Sequence, residues 1–253
     1  GKYAVGRAND YGDSFREYPV MWNLESGSIV ATPNFPTIGV EGSNDGMVRF
    51  YSISADARYI VGCVSYSYVS NVMYFVYDRN DNSWIPLGFN YDATTKRYTP
   101  LKEGIAHMDD ADISCDGKWI GGTAYMVKTV EGSQFGNEYR TPFRYNLETK
   151  VFELYDDSES QNMSCVVVDN HGTLYAATPP NSPVRTLFVR NGNYWYPLTE
   201  ILSQNYGINY YEKSGFEYSG TPIAVSGDGK ILSAIASASD DNYTLSLPVT
   251  FGE

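Results

Sequence analysis

Residues 110–125 read DADISCDGKWIGGTAY, with His107 and Asp109 just upstream. The stretch gathers acids, a serine, a cysteine and paired glycines, and three chemistries would use such a set. Asp109, Asp110 and Asp112 could bind Ca²⁺ through carboxylate oxygens, although no D-x-D-x-D-G loop accompanies them. A solvated acidic surface is the alternative reading of the same residues. Two acids on facing loops could also act as the acid and base of a glycosidase or lyase. Nucleophilic catalysis has little to draw on: the only histidines are His107 and His171, and no G-x-S-x-G elbow, CxxC pair, H-E-x-x-H, P-loop or G-x-G-x-x-G occurs.

Two tyrosine-rich stretches offer recognition instead. Residues 88–112 bring Tyr91, Tyr98 and His107 next to the acids, and residues 199–220 contain Tyr206, Tyr210, Tyr211, Phe216 and Tyr218. Aromatic rings with polar rims suit a glycan, a peptide or a protein partner. They suit a loop packing on its own scaffold equally well.

Composition bounds the partner. The chain has 253 residues and a formal net charge of −12, with no run of Lys and Arg, so a nucleic-acid backbone or an anionic membrane surface would be repelled. The longest uncharged run, 59–77, is broken by Ser65, Ser67, Ser70 and Asn71, which predicts strands and no membrane insertion. The first residues lack a charged region followed by an apolar one, so no signal peptide is expected within this chain. Cys63, Cys115 and Cys165 are odd in number and far apart, which predicts buried free thiols rather than a disulfide framework.

What positions the candidate residues is a repeat. GKYAVGRA, ARYIVGCV, GKWIGGTA, GTLYAATP and GKILSAIA align without gaps from residues 1, 57, 117, 172 and 229. The third position is large in every copy (Tyr3, Tyr59, Trp119, Leu174, Ile231) and the sixth is small (Gly6, Gly62, Gly122, Ala177, Ala234). The small column predicts a crowded place where neighbouring sheets approach. Further on come PVMWN, YFVYD, PFRYN, LFVRN and PVTFG, each a short strand ending in a turn residue. SIVATP, SWIPL, VFELY and YWYPL follow, and RFYSIS, DADIS, SCVVV and TPIAV precede the later copies.

Each unit therefore reads as strands a, b, c and d, and a four-stranded antiparallel unit recurring every 55 to 60 residues is the pattern of a β-propeller blade. Solenoid repeats are normally shorter, and a two-sheet sandwich would not produce even spacing. The expected fold is all-β: one propeller domain over 1–253, with repeats near 1–47, 48–108, 109–162, 163–221 and 222–253. The end blades are incomplete, the first lacking strand a and the fifth strand d.

ISADARYIVG, ISCDGKWIGG and VSGDGKILSA resemble the TolB-like propeller repeat, in which S-P-D-G-K marks the a–b turn. Ala55, Cys115 and Gly227 stand where that motif has proline, and VDNHGTLYAA keeps only the glycine and the strand pattern. The resemblance implies a bacterial, extracytoplasmic (periplasmic, cell-surface or secreted) setting and speaks for fold, since such propellers serve many functions. The repeat itself resolves part of the opening stretch: Ser114, Asp116 and Gly117 recur as Ser54/Asp56 and Ser226/Asp228/Gly229, so they read as turn chemistry. His171 lies in the aspartate column and reads as a turn residue too.

Antiparallel order puts the a–b and c–d turns at one end of each blade, and the b–c loops and d–a links at the other. The long, irregular segments share the second end, where binding residues concentrate. The expected function is a non-catalytic binding or scaffold propeller presenting Tyr-rich loops to a glycan or protein. A carbohydrate-active enzyme with acids at the channel mouth is the alternative.

Overall fold

The computed structural model describes residues 1–10, 16–30, 46–66, 69–92, 94–95, 97–128, 136–157, 160–178, 186–208, 221–235, 242–248 and 251. They form an all-β propeller fold built from consecutive antiparallel blades. The first blade holds β1 (Tyr3–Asp10), β2 (Arg16–Asn23) and β3 (Ser28–Val30), and the second β4 (Gly46–Ile53), β5 (Tyr59–Tyr66), β6 (Val69–Asp78) and β7 (Ser83–Pro86). A two-stranded hairpin of β8 (Phe89–Asp92) and β9 (Arg97–Pro100) follows. The third blade is β10 (Ile105–Ile113), β11 (Trp119–Lys128), β12 (Asn137–Asn146) and β13 (Phe152–Leu154). The fourth is β14 (Ser164–Val168), β15 (Leu174–Ala177), β16 (Leu187–Asn191) and β17 (Tyr194–Pro197), continuing into helix α1 (Leu198–Tyr206). The last is β18 (Thr221–Val225), β19 (Ile231–Ile235) and β20 (Asn242–Ser246). Both end blades are three-stranded among the described residues.

Two compact units divide the chain: residues 1–111 with 124–137, and residues 112–123 with 138–253. In the first, Met21, Phe50, Ile60 and Tyr77 form one core cluster and Val48, Val64 and Phe75 another. In the second, Val167, Tyr175, Leu187, Val189 and Leu232 form a cluster that also buries Leu198 and Leu202 of α1. Each such side chain contributes about 1.5–3 kcal/mol by leaving water.

The repeat motifs resolve into specific bonds. At the second a–b turn Ser54 Oγ donates to Asp56 Oδ1 at 2.6 Å and accepts from the Tyr59 amide, while the Arg58 amide donates to Asp56. The same three bonds recur at Ser114/Asp116 and at Ser226/Asp228. The fourth position of the turn needs positive φ, supplied by Gly117 (75°), Gly172 (77°) and Gly229 (68°), and by Ala57 at 59°. In the second unit the turns also touch one another. Asn170 accepts the Asp116 amide on its Oδ1 at 2.9 Å, donates its own amide to Gly227 O at 3.0 Å, and leaves no room for a side chain at Gly227. Asn23, Asp78 and Asn146 end strand c because their Oδ1 atoms take up the amides of the following c–d turn.

Three expectations change. In the small column, Gly6 and Gly62 are crowded from within their own blades, Gly6 by Trp22 and Gly62 by Arg49, Phe50 and Phe75. Gly62, Ala177 and Ala234 pair with Phe50, Ser164 and Pro222, each the last residue before a one-residue β-bulge. A Cβ on Gly62 would sit 2.5 Å from Arg49 O. The fifth strand c is Asn242–Ser246 rather than PVTFG, because β19 pairs Ile235 with Asn242 and Ile231 with Ser246, and Pro248 cannot donate to a ladder. Finally, only Cys63 is buried; Cys115 and Cys165 are exposed.

Candidate functional site

The hairpin β8–β9 interrupts the link between the second and third blades. Asp92 sets its turn: Oδ1 accepts the amides of Thr94 and Thr95, and Oδ2 accepts the Thr95 hydroxyl at 2.7 Å. The Thr95 hydroxyl and the two amides hold the exposed Asp92 carboxyl below its usual range. The Leu101 amide closes the base of the hairpin on Gly88 O. There Gly88 has φ +75°, which strains any other residue, and a Cβ would also displace the Met108 methyl on β10. Tyr98 rests on the cluster of Val48, Val64 and Phe75. Across the ladder Tyr91 pairs with Tyr98, their ring centres 4.7 Å apart, and Tyr91 stays 43% exposed.

Strand β10 begins beside this base. His107 stacks on Tyr125 at 4.6 Å and 21°. Asp109 offers its backbone carbonyl to the Tyr74 hydroxyl at 2.7 Å, and Asp110 lies close enough to act on that phenol electrostatically. Burial, with Tyr51, Cys63 and Asp110 adding to it, pushes the Tyr74 phenol far above its ordinary value. Tyr51, the extra residue of the β4 bulge, stacks on Tyr74 at 5.6 Å and accepts from Cys63 Sγ at 3.4 Å. The bulge turns Tyr51 outward, leaving it 45% exposed.

Of the residues singled out in the sequence, Tyr91 and Tyr98 meet, and His107, Asp109 and Asp110 lie along one strand of the same unit. Asp112 and Tyr206 belong to the other unit, where Asp112 is half-buried and Tyr206 ends α1, 40% exposed. Tyr210 and Tyr211 lie outside the described residues. Among the described residues no three His, Cys, Asp or Glu side chains gather as a cation would require, so nothing there supports Ca²⁺ at Asp109, Asp110 and Asp112. Tyr51, Tyr74 and Tyr125 were not singled out; only the pairing of β4 with β5 shows Tyr51 to be the bulge residue. The surface assembled here offers stacking faces, phenols and half-buried acids, the equipment of recognition.

No family model matches the chain, and no curated protein matches it significantly. Among solved structures it is similar to TolB from Acinetobacter baumannii, with a TM-score of 0.52 and 12% identity over 96% of this chain and 49% of that one. It is also similar to an acylaminoacyl peptidase from Pyrococcus horikoshii, with a TM-score of 0.51 and 13% identity over 98% of this chain and 37% of that one. The chain thus spans about half the length of the first and less of the second. These likenesses establish the fold. No described helix is long and apolar enough to cross a membrane.

Proposed function

We propose that the chain is a non-catalytic binding propeller that holds a partner on the β8–β9 hairpin, and that the partner is a protein. The observation that carries this reading is the Tyr91–Tyr98 pair. An extra hairpin is added to the repeat here, and it leaves Tyr91 43% exposed while its stacking partner Tyr98 is anchored on the core of the second blade. A protein is favoured over a glycan because Asp92, the hairpin's own carboxylate, already accepts three bonds from Thr94 and Thr95, which leaves little of its acceptor capacity for sugar hydroxyls. Sugar hydroxyls would need such acceptors free. The resemblance to TolB-like repeats carries the expectation of an extracytoplasmic place in a bacterium.

The test compares immobilised wild type with Tyr91→Ala in extracts of the source cell's envelope and on a glycan array. A defined protein bound by wild type should lose at least about tenfold in affinity on Tyr91→Ala, the loss expected of a central aromatic contact. Thermal stability should be unchanged. Equal binding by both proteins rejects the hairpin as the site, and glycan binding that depends on Tyr91 replaces the protein partner with a carbohydrate.

A further inference from the structure

The second unit departs from the repeat at one buried column. Strand c carries Trp22, Tyr77, Tyr145 and Arg190 at equivalent places, and each faces a residue of strand d: Ile29, Trp84, Phe152 and Trp195. Tyr77 stacks on Trp84 at 4.4 Å, and Tyr145 lies 6.4 Å from Phe152. The fourth blade puts a guanidinium where the three preceding blades put an aromatic ring and the fifth puts Leu245. Arg190 is 9% exposed, against 6% for Tyr77 and 8% for Tyr145, so the charge has gone inside with the column.

The guanidinium is held between two rings, its Cζ 3.7 Å from the centre of Tyr155 and 5.5 Å from that of Trp195. Stacking satisfies its faces and leaves its edge. Nη1 is buried and has no hydrogen-bond partner. Tyr155 and Asp157 act favourably on the charge without meeting Nη1: Asp157 Oδ1 takes the Ser160 amide and hydroxyl at 2.8 and 2.7 Å, and Ser160 Oγ takes Trp195 Nε1 at 2.8 Å. Glu153 takes Arg144 at 2.7 Å and the Tyr155 phenol at 3.2 Å. Burial pushes the Arg190 guanidinium below its ordinary range. A buried cation with an unused donor is costly, and tyrosine was available at no such cost. Departures of this kind, local and uncompensated, are where a site is expected.

We propose that Arg190, caged by Tyr155 and Trp195, anchors a binding site for the oxyanion of a small ligand: a carboxylate, a sulfate or a phosphate. The planar fork fits such a group edge-on, and the cage holds the fork in place while Nη1 stays unpartnered. Asn191, next in sequence, and Asp157, close enough to act on the guanidinium electrostatically, are exposed.

The probes are sodium acetate, sulfate and phosphate, each titrated at constant ionic strength against chloride, with thermal midpoint and tryptophan fluorescence as readouts. Sulfate and phosphate stabilise any protein by exclusion, without saturation, so the diagnostic is a saturable response. At a hundredfold excess over the dissociation constant the midpoint should rise by roughly 5–10 °C, with a matching fluorescence change. Arg190→Tyr restores the ring found in the two preceding blades; it should fold at least as stably and lose the saturable response. The anion that saturates identifies the oxyanion class. Absence of saturation with all three probes, or saturation that survives in Arg190→Tyr, overturns the proposal.

Discussion

The second and fourth blades are built on one plan and place their polar atoms in opposite ways. In the second, the turn is made by Ser54 and Asp56 at its edge, position four of strand b is Ile60, and strand c faces its neighbour with Tyr77. In the fourth, the corresponding residues are Asp169, Leu174 and Arg190, all buried. Asp169 does alone what the serine and aspartate share elsewhere: its Oδ1 accepts the amides of both His171 and Thr173 at 2.9 Å. His171 is thereby freed of the turn's carboxylate role and stands exposed. The cost is a second oxygen, Asp169 Oδ2, buried without a hydrogen bond. Repetition tolerates exchange of the atoms that make a turn so long as the amides are still met, and the exceptions collect in one blade.

That contrast can be broken from the regular side. Tyr77→Arg puts into the second blade what the fourth already contains, against Trp84 and without the Tyr155 cage. It should lower unfolding free energy by about 3 kcal/mol or more, read from urea titration. A loss below about 1 kcal/mol would mean that the column accepts a cation anywhere, and the departure at Arg190 would lose its meaning.

The turns come next. Asp169→Ala strands two buried amides and should cost about 2 kcal/mol, whereas Ser54→Ala should cost about 1 kcal/mol. Asp169→Asn keeps the accepting oxygen and removes the charge. Burial raises the Asp169 pKa above its ordinary 3.8, so ionisation works against the fold and stability is lost as pH rises from about that value. Asp56 and Asp228 behave oppositely. Burial opposes ionisation of Asp56, but the Ser54 hydroxyl and the Arg58 amide outweigh it; the Ser226 hydroxyl and the Lys230 amide act on Asp228. Both carboxyls titrate below 3.8, and their contribution is lost only as pH falls through that lower range. The advantage of Asp169→Asn over wild type should therefore grow with pH above about 4 and vanish below it. A difference that is flat with pH would remove the buried charge from the comparison.

The smallest effect concerns Ala57, which holds φ +59° where the other turns use glycine. Ala57→Gly should stabilise by under about 1 kcal/mol, relief of strain being offset by greater freedom of the unfolded chain and a lost buried methyl. Destabilisation would show that the methyl, 2% exposed, matters more than the backbone.

Much of this plan was legible in the sequence because the repeat compares the chain with itself. Ser54, Ser114 and Ser226 explain one another, and strand d began where SIVATP, SWIPL, VFELY and YWYPL placed it. What was hidden depended on pairing. The bulge at Tyr51 has no local signature; it is visible only once Phe50 pairs with Gly62 and Ser52 with Val61. PVTFG imitated PFRYN in pattern, and only the register with β19 moved the strand to Asn242–Ser246. The β8–β9 hairpin did have a signal, FNYD and RYTP flanking a polar turn, but it fell between repeats, where self-comparison is blind. Asp110 was singled out for its charge, yet it is Asp109's backbone carbonyl that receives Tyr74.

Asn170 carries a consequence for how such a chain can change over generations. Its side chain and amide are read at once by the turn at Asp116 and the turn at Gly227. A substitution in any of the three must therefore be acceptable to the other two, and drift at that end of the blades is slow and joint. The β8–β9 hairpin, at the opposite end, stands outside that set of bonds. Novelty can accumulate there one segment at a time, and the Tyr91–Tyr98 hairpin has the form of one such independent addition.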